Sequence, residues 1–120
     1  MNIKKNKIIG PKAYIDLDIC RSNLLAIKKK IGGRKLLCVI KANGYGHGAV
    51  QIAKSIENIK NVQFAVFSFE EALELRDANI QNDILVFSRI QSQYIKLAHE
   101  NNITLNISAI EDIDEINSYF

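Results

Sequence analysis

Apolar residues return in a regular beat along most of this chain. Residues 35–40 hold an unbroken apolar run, Leu36-Leu37-Cys38-Val39-Ile40, and from Gly48 onward Ala49, Ile52, Ala53 and Ile56 recur at helical spacing. The alternation continues. Residues 62–68 read as a strand and 69–78 as a helix, then 83–88 as a strand and 92–100 as a helix. Residues 103–108 form a further strand, and a fourth helix follows with Ile110, Ile113 and Ile116 expected to face inward. Ahead of these four units, residues 13–17 alternate as a strand does. A helix comes next, with Asp18 as its N-cap, Cys20, Leu24, Ile27 and Ile31 along one face, and Gly32-Gly33 as its stop.

Two features refine the reading. Ser68 with Glu71, and Ser108 with Glu111, both fit the S-x-x-E capping box, in which the two side chains satisfy free amides at a helix start. The strands are continuous apolar runs rather than alternating ones, which predicts parallel strands buried on both faces. Strand–helix units around such a sheet imply an α/β fold, either an open doubly wound sheet or a (β/α)8 barrel. Four units make half a barrel, and a whole one takes roughly 250 residues. The expectation is therefore a partial (β/α)8 TIM barrel, preceded by one strand and one helix and cut from something longer.

Composition narrows the function classes. The 120 residues, 48% hydrophobic and 24% charged, suit one globular domain. The net charge of +3 is spread out: Lys4, Lys5 and Lys7 lie in a polar tail over residues 1–12, and Lys28, Lys29 and Lys30 close a helix, where cations complement the dipole. A nucleic-acid binder concentrates such charge on one face, so none is expected as a partner. No run approaches a membrane span. Met1-Asn2-Ile3-Lys4-Lys5 lacks the apolar stretch that follows the charged start of a signal peptide. Cys20 and Cys38 lack a metal-ligand spacing and read as small buried hydrophobes, so no metal is expected and the compartment expected is the cytoplasm.

The chemistry concentrates in Val39-Ile40-Lys41-Ala42-Asn43-Gly44-Tyr45-Gly46-His47-Gly48. Lys41 stands at the carboxyl end of a strand, where barrel enzymes carry their active sites. A lysine desolvated there has a lowered pKa and can form a Schiff base with an aldehyde. The glycines permit close backbone approach to a ligand, and the following helix start offers amides to an anion. Three readings stay open on the residues alone. One is a Schiff-base lysine serving a phosphate-bearing cofactor. Another is a dinucleotide site, since Gly44-x-Gly46-x-x-Ala49 matches G-x-G-x-x-G/A and Glu70 falls near the acidic position. Against it, three residues separate the first glycine from the strand, and Glu70 and Glu71 suit a helix first turn. The third is a lysine that only snorkels to solvent. His47 reads as a structural residue of the turn, and Tyr14, Tyr94 and His99 as scaffold.

This stretch closely resembles the cofactor motif of alanine racemases, V-x-K-A-N-A-Y-G-H-G, with Gly44 where alanine is usual. The resemblance extends to Ala13-Tyr14-Ile15-Asp16-Leu17-Asp18 and Asn23-Leu24, to Phe64-Ala65-Val66 with Glu70-Glu71-Ala72-Leu73-Glu74-Leu75-Arg76 and Ile80, and to Ile84-Leu85-Val86-Phe87. It fades after about residue 107. It implies an amino-acid racemase, alanine preferred and serine or broader specificity possible, with pyridoxal 5'-phosphate as cofactor. Lys41 would carry the cofactor and act as one of two acid–base groups, the other being a tyrosine of the partner subunit in a homodimer. Tyr45 would bond the cofactor phosphate, and Phe87 would lie near the cofactor as an apolar side chain. The opening strand would join a separate β-domain. The remaining groups of the family's site lie beyond these residues, so the 120 residues alone are expected to be inactive. A non-catalytic pyridoxal-phosphate carrier on the same barrel is the alternative. The complete protein would supply D-alanine for peptidoglycan.

Overall fold

The computed structural model describes residues 10–120. Most of the polar tail expected over residues 1–12, including Lys4, Lys5 and Lys7, lies outside the described residues. Four strands, β1(Leu36–Val39), β2(Val62–Val66), β3(Ile84–Arg89) and β4(Ile103–Asn106), form one sheet in the order β1-β2-β3-β4. Every neighbouring pair is parallel, with Val39 level with Ala65 and Ala65 level with Leu85. Helices α1(Leu17–Ile31), α3(Ala49–Ile56), α4(Phe69–Asp77), α5(Ile95–Glu100) and α6(Ile110–Asn117) alternate with them. The turn between β1 and α3 is a one-turn element, α2(Lys41–Tyr45). Parallel neighbours in sequential order, each joined through a helix, are the barrel arrangement expected.

The core lies between the sheet and its helices. Phe64, Val66, Ile84 and Val86 from the strands meet Ala53, Ile56, Ala72, Leu75 and Ala98 from the helices, and all are buried. Burial on both faces holds only for β2. In β1 the pattern alternates, because helices cover one face alone and leave Leu37, Val39, Phe67 and Phe87 exposed on the other. The apolar runs were legible; what covers their second face was not.

Three of the four helix–strand returns use the same device, while the return from α1 turns at Gly32. Asn61, Asn79 and Asn102 take φ of 62°, 61° and 51° just after a helix and before the next apolar segment. Asparagine tolerates this left-handed region better than other residues with a Cβ. Arg76 reinforces two of the returns. Its guanidinium donates to the carbonyls of Ile80 (2.6 Å), Asn82 (2.9 Å), Asn101 (2.8 Å) and Asn102 (2.8 Å), binding α4 to the approaches to β3 and β4. Asn82 in turn donates to the carbonyls of Glu57 and Val62.

Several local expectations are corrected. Residues 13–17 form no strand: 11–16 are irregular and α1 opens at Leu17. A strand needs a ladder, and no described segment pairs with this one. The cap of α1 is Asp16, whose carboxylate accepts from Ile19 N at 3.0 Å, while Asp18 sits in the first turn. Along α1 Ile27 is exposed and no residue is fully buried. Cys20 and Cys38 are half-buried, and burial raises the pKa of the Cys38 thiol. At α6, Ile110 and Ile113 face solvent, 78% and 47% exposed. They share an apolar face, but none of the core helices packs against it.

The second capping box also uses a different residue. Asp112, not Glu111, turns back to the helix start, its Oδ2 accepting from Ser108 N (2.8 Å) and Ala109 N (3.0 Å). Its Oδ1 accepts from Arg89 Nε (3.0 Å) and Nη2 (2.9 Å), so this buried carboxylate is paired as well as capped. The Ser108 amide and then the Arg89 guanidinium hold the Asp112 carboxyl below its ordinary value, against the opposing effect of desolvation. A carboxyl with a lower pKa folded than unfolded stabilises the fold at pH above its unfolded pKa and loses that contribution as pH falls through the folded one. Stability is therefore expected to hold above about pH 5 and to decline below about pH 4. Asp112→Asn should be less stable than wild type at neutral pH, with the gap closing towards about pH 3. Urea midpoints measured across that range check this; a gap that stays constant with pH contradicts it.

Candidate functional site

Strand β1 delivers Lys41 to the carboxyl edge of the sheet, one residue past the buried Ile40. There the backbone reverses hand. Ala42 (φ 51°, ψ 49°), Asn43 (52°, 46°) and Gly44 (64°, 38°) are left-handed, and Tyr45 follows at φ 56°. For each of the three residues that carry a Cβ this costs about 1–2 kcal/mol. Such strain persists only where the surroundings fix it.

Hydrogen bonds within the turn account for part of the hold. Gly44 N donates to Ile40 O (2.9 Å), Gly46 N to Ala42 O (3.1 Å) and Gly48 N to Asn43 O (2.8 Å). His47 adds its backbone N and its ring Nδ1, both 3.0 Å from Gly44 O. A carbonyl only accepts, so Nδ1 carries the proton in this contact. His47 thus closes the turn, as the sequence reading had it.

Two side chains tie the turn to its neighbours. Asn43 Oδ1 accepts from Ala49 N at 3.0 Å and so caps α3. Glu71 Oε1 accepts from Ala42 N at 2.7 Å, reaching across from α4. Neither role was read from the sequence. Asn43 was recognisable only as a member of the motif, although its tolerance of left-handed backbone and its acceptor oxygen are signals a closer reading could use.

Two of the three glycines make room for the chain itself. Gly44 at φ +64° approaches α3 so closely that a Cβ would lie 3.2 Å from both Ala49 N and Ile52 Cδ1. A Cβ on Gly48 would meet Gln51 Oε1 at 2.6 Å. Gly44 and Gly48 thus approach α3, and one amide of its start, Ala49 N, is already taken by Asn43. Glu70 lies in the first turn of α4 and its carboxylate accepts from the Tyr94 hydroxyl at 2.7 Å, while that ring stacks on Phe69 at 4.6 Å. The acid that a dinucleotide ribose would require is thus engaged in holding two helices together.

The three site residues named from sequence fall as follows. Lys41 is half-buried and takes part in no ion pair among the described residues. Tyr45, 58% exposed, ends the same turn. Phe87 lies two strands away in β3, exposed on the sheet face that the helices leave open. Phe67, not singled out from the sequence, stands between them: the register carries it level with Phe87, and Ser88 N donates to its carbonyl at 2.9 Å. A cavity of about 120 Å³ sits beside them at the carboxyl ends of β2 and β3, walled by Phe67, Phe69, Val86, Arg89, Tyr94 and Leu105, and Lys41 is not in its wall. Among the described residues no cluster of three potential metal ligands occurs, and no helix is long and apolar enough to cross a membrane.

A pyridoxal phosphate group would need an uncommitted amine at a fixed position, a hydroxyl nearby and apolar surface for its ring. Lys41, outside any ion pair among the described residues, Tyr45 on the same turn and the exposed Phe67–Phe87 face offer groups of those kinds.

The chain is similar in sequence and in fold to known proteins. Residues 15–119 match the family model described as alanine racemase, N-terminal domain. The alanine racemase of Lactobacillus gasseri is 40% identical over 109 residues, covering 84% of this chain and 29% of its own. That of Streptococcus uberis is 41% identical over 100 residues, covering 82% and 27%. Among solved structures, the alanine racemase of Clostridium difficile 630 superposes with a TM-score of 0.79 at 36% identity, covering 85% of this chain and 28% of that one. A histidine racemase from Leuconostoc mesenteroides superposes at 0.76 and 30% identity, covering 85% and 27%. The chain thus spans under a third of the length of the relatives it matches. With the motif turn, the parallel strand order and a family match over nearly all of its length in accord, the chain belongs to the alanine racemase family.

Proposed function

We propose that the protein to which these residues belong interconverts L- and D-alanine with pyridoxal 5'-phosphate, and that Lys41 is its catalytic and cofactor-carrying residue. The observation that supports this most is the position of Lys41: at the carboxyl edge of a parallel sheet, outside any ion pair among the described residues, on a strained turn cross-braced by its neighbours. When bound, pyridoxal phosphate supplies an aldehyde for a lysine amine and an electron sink for the substrate α-carbon.

The protein's own residues supply the rest. The Lys41 amine would hold the cofactor and would take or return the α-proton on one face of the substrate carbon. Racemisation needs that proton to leave one face and return to the other. A single lysine fixed on a rigid turn serves only one of them, so a second acid–base group lies opposite. Tyr45 would offer its hydroxyl to the cofactor phosphate, and Phe87 would offer apolar surface to its ring. Attachment of the second acid–base group to a partner subunit, and so a homodimer, belongs to the same reading, as do a cytoplasmic location and a role in peptidoglycan supply.

Incubating the full native protein with L-alanine in deuterated water tests the proposal. Deuterium should enter the α-position and D-alanine should accumulate until the two enantiomers are equal. A protein that binds pyridoxal phosphate but leaves the α-proton in place is a non-catalytic carrier. Similarity to a histidine racemase favours keeping the side-chain specificity open, so serine and histidine belong in the same assay.

A further inference from the structure

The Lys41 turn is left-handed over four successive residues, three of which carry a Cβ and are strained there. Among the described residues, one side chain from a different strand–helix unit hydrogen-bonds to it. It is Glu71. Its Oε1 accepts from Ala42 N at 2.7 Å, the amide of the peptide bond that joins Lys41 to Ala42. Its Oε2 accepts from Phe67 N and Ser68 N, each at 2.8 Å. A capping box needs only the amide of the cap residue, here Ser68, whose own hydroxyl oxygen accepts from Glu71 N at 3.2 Å. The other oxygen is thus left over for the lysine turn.

We infer that Glu71 is the positioning residue of Lys41: its carboxylate locks the Lys41–Ala42 peptide plane to the corner between β2 and α4, and so fixes the direction in which the lysine leaves the backbone. This rests on the reading of Lys41 as the cofactor lysine. Burial of Glu71 opposes its charge, but the amides of Ser68, Ala42 and Phe67 together outweigh that and keep the carboxyl below its ordinary value. The group is therefore charged at neutral pH, and charge-assisted hydrogen bonds are the stronger kind.

The chemistry of glutamine separates the two jobs of this side chain. In Glu71→Gln the amide oxygen can still accept from Phe67 N and Ser68 N, keeping the cap. Its NH2 group then faces Ala42 N, donor against donor, and the turn contact is lost. Ser68→Ala does the converse: it removes a cap bond and leaves the carboxylate on Ala42.

Both variants are made in the full native protein, with two readouts. One is hydrogen exchange at the Ala42 amide. The other is the rate at which added pyridoxal phosphate becomes trapped on Lys41 by borohydride. Glu71→Gln should speed Ala42 exchange by at least about tenfold and slow trapping by about tenfold, whereas Ser68→Ala should lower thermal stability and change neither. Unchanged Ala42 exchange in Glu71→Gln overturns the clamp. Faster exchange with wild-type trapping overturns the positioning role. Absence of trapping on Lys41 in the wild-type protein overturns the reading of Lys41 and this inference with it, and is distinguished by appearing without any substitution.

Discussion

Replacing Lys41 by alanine should abolish interconversion of L- and D-alanine, with kcat/KM at least about 10⁴-fold lower, while the fold is retained. The size follows from two roles in one side chain. General acid–base groups contribute about 10²–10⁴-fold by themselves, and loss of the covalent anchor for the cofactor adds to that. The fold should survive because Lys41 is half-buried, makes no ion pair among the described residues and fills no part of the core. Lys41→Arg is the sharper control. It keeps the charge, but a guanidinium does not deprotonate in proteins, so activity should be lost to a similar extent. Steady-state kinetics with circular dichroism decides the matter. An active Lys41→Arg protein would show that the lysine is merely a surface cation.

Arg76→Ala should have the largest effect on stability, about 3 kcal/mol. Hydrogen bonds from charged donors are worth about 1.5–3 kcal/mol each, but the four here share one guanidinium and water can reach part of the site, so they do not sum. The consequence is geometric as well. Arg76 holds the carbonyls of Ile80 and Asn82 on one return and of Asn101 and Asn102 on another, both beside left-handed asparagines. Lysine offers one point donor in place of a planar fork, so Arg76→Lys should recover less than half of the loss. Equilibrium denaturation measures both variants. An Arg76→Ala protein within about 0.5 kcal/mol of wild type, the usual range for a featureless surface change, would show that solvent replaces the arginine without cost.

What the sequence displayed, and what it hid, divides by range. The strand–helix beat, the Ser68–Glu71 box and the Gly32 stop depend on neighbours a few residues apart, and all appear in the structure. The second box was misassigned because Glu111 and Asp112 both lie within reach of the helix start. The helix starts one residue later than read: its N-cap is Ala109, which puts Asp112 rather than Glu111 three residues after the cap. The strand expected over 13–17 shows the right alternation, but alternation cannot supply a pairing partner. Ile110 and Ile113 mark an apolar face without saying what lies against it.

At the site the motif exposed Lys41, Tyr45 and the role of His47. The left-handed path through Ala42, Asn43 and Tyr45 carries no glycine to announce it at those positions. The bond from Ala42 to Glu71 spans 29 residues, a distance at which spacing carries no information. Glu71 looked like a helix cap because it is one; its second bond is visible only when two strand–helix units are brought side by side.

The central claim is that Lys41 carries pyridoxal phosphate, and one measurement addresses it directly. Native protein from its source is reduced with borohydride, digested, and the modified peptide is sequenced by mass spectrometry. The account predicts a single phosphopyridoxyl group on Lys41. A modification confined to another lysine, or none on a protein that racemises alanine, would contradict it.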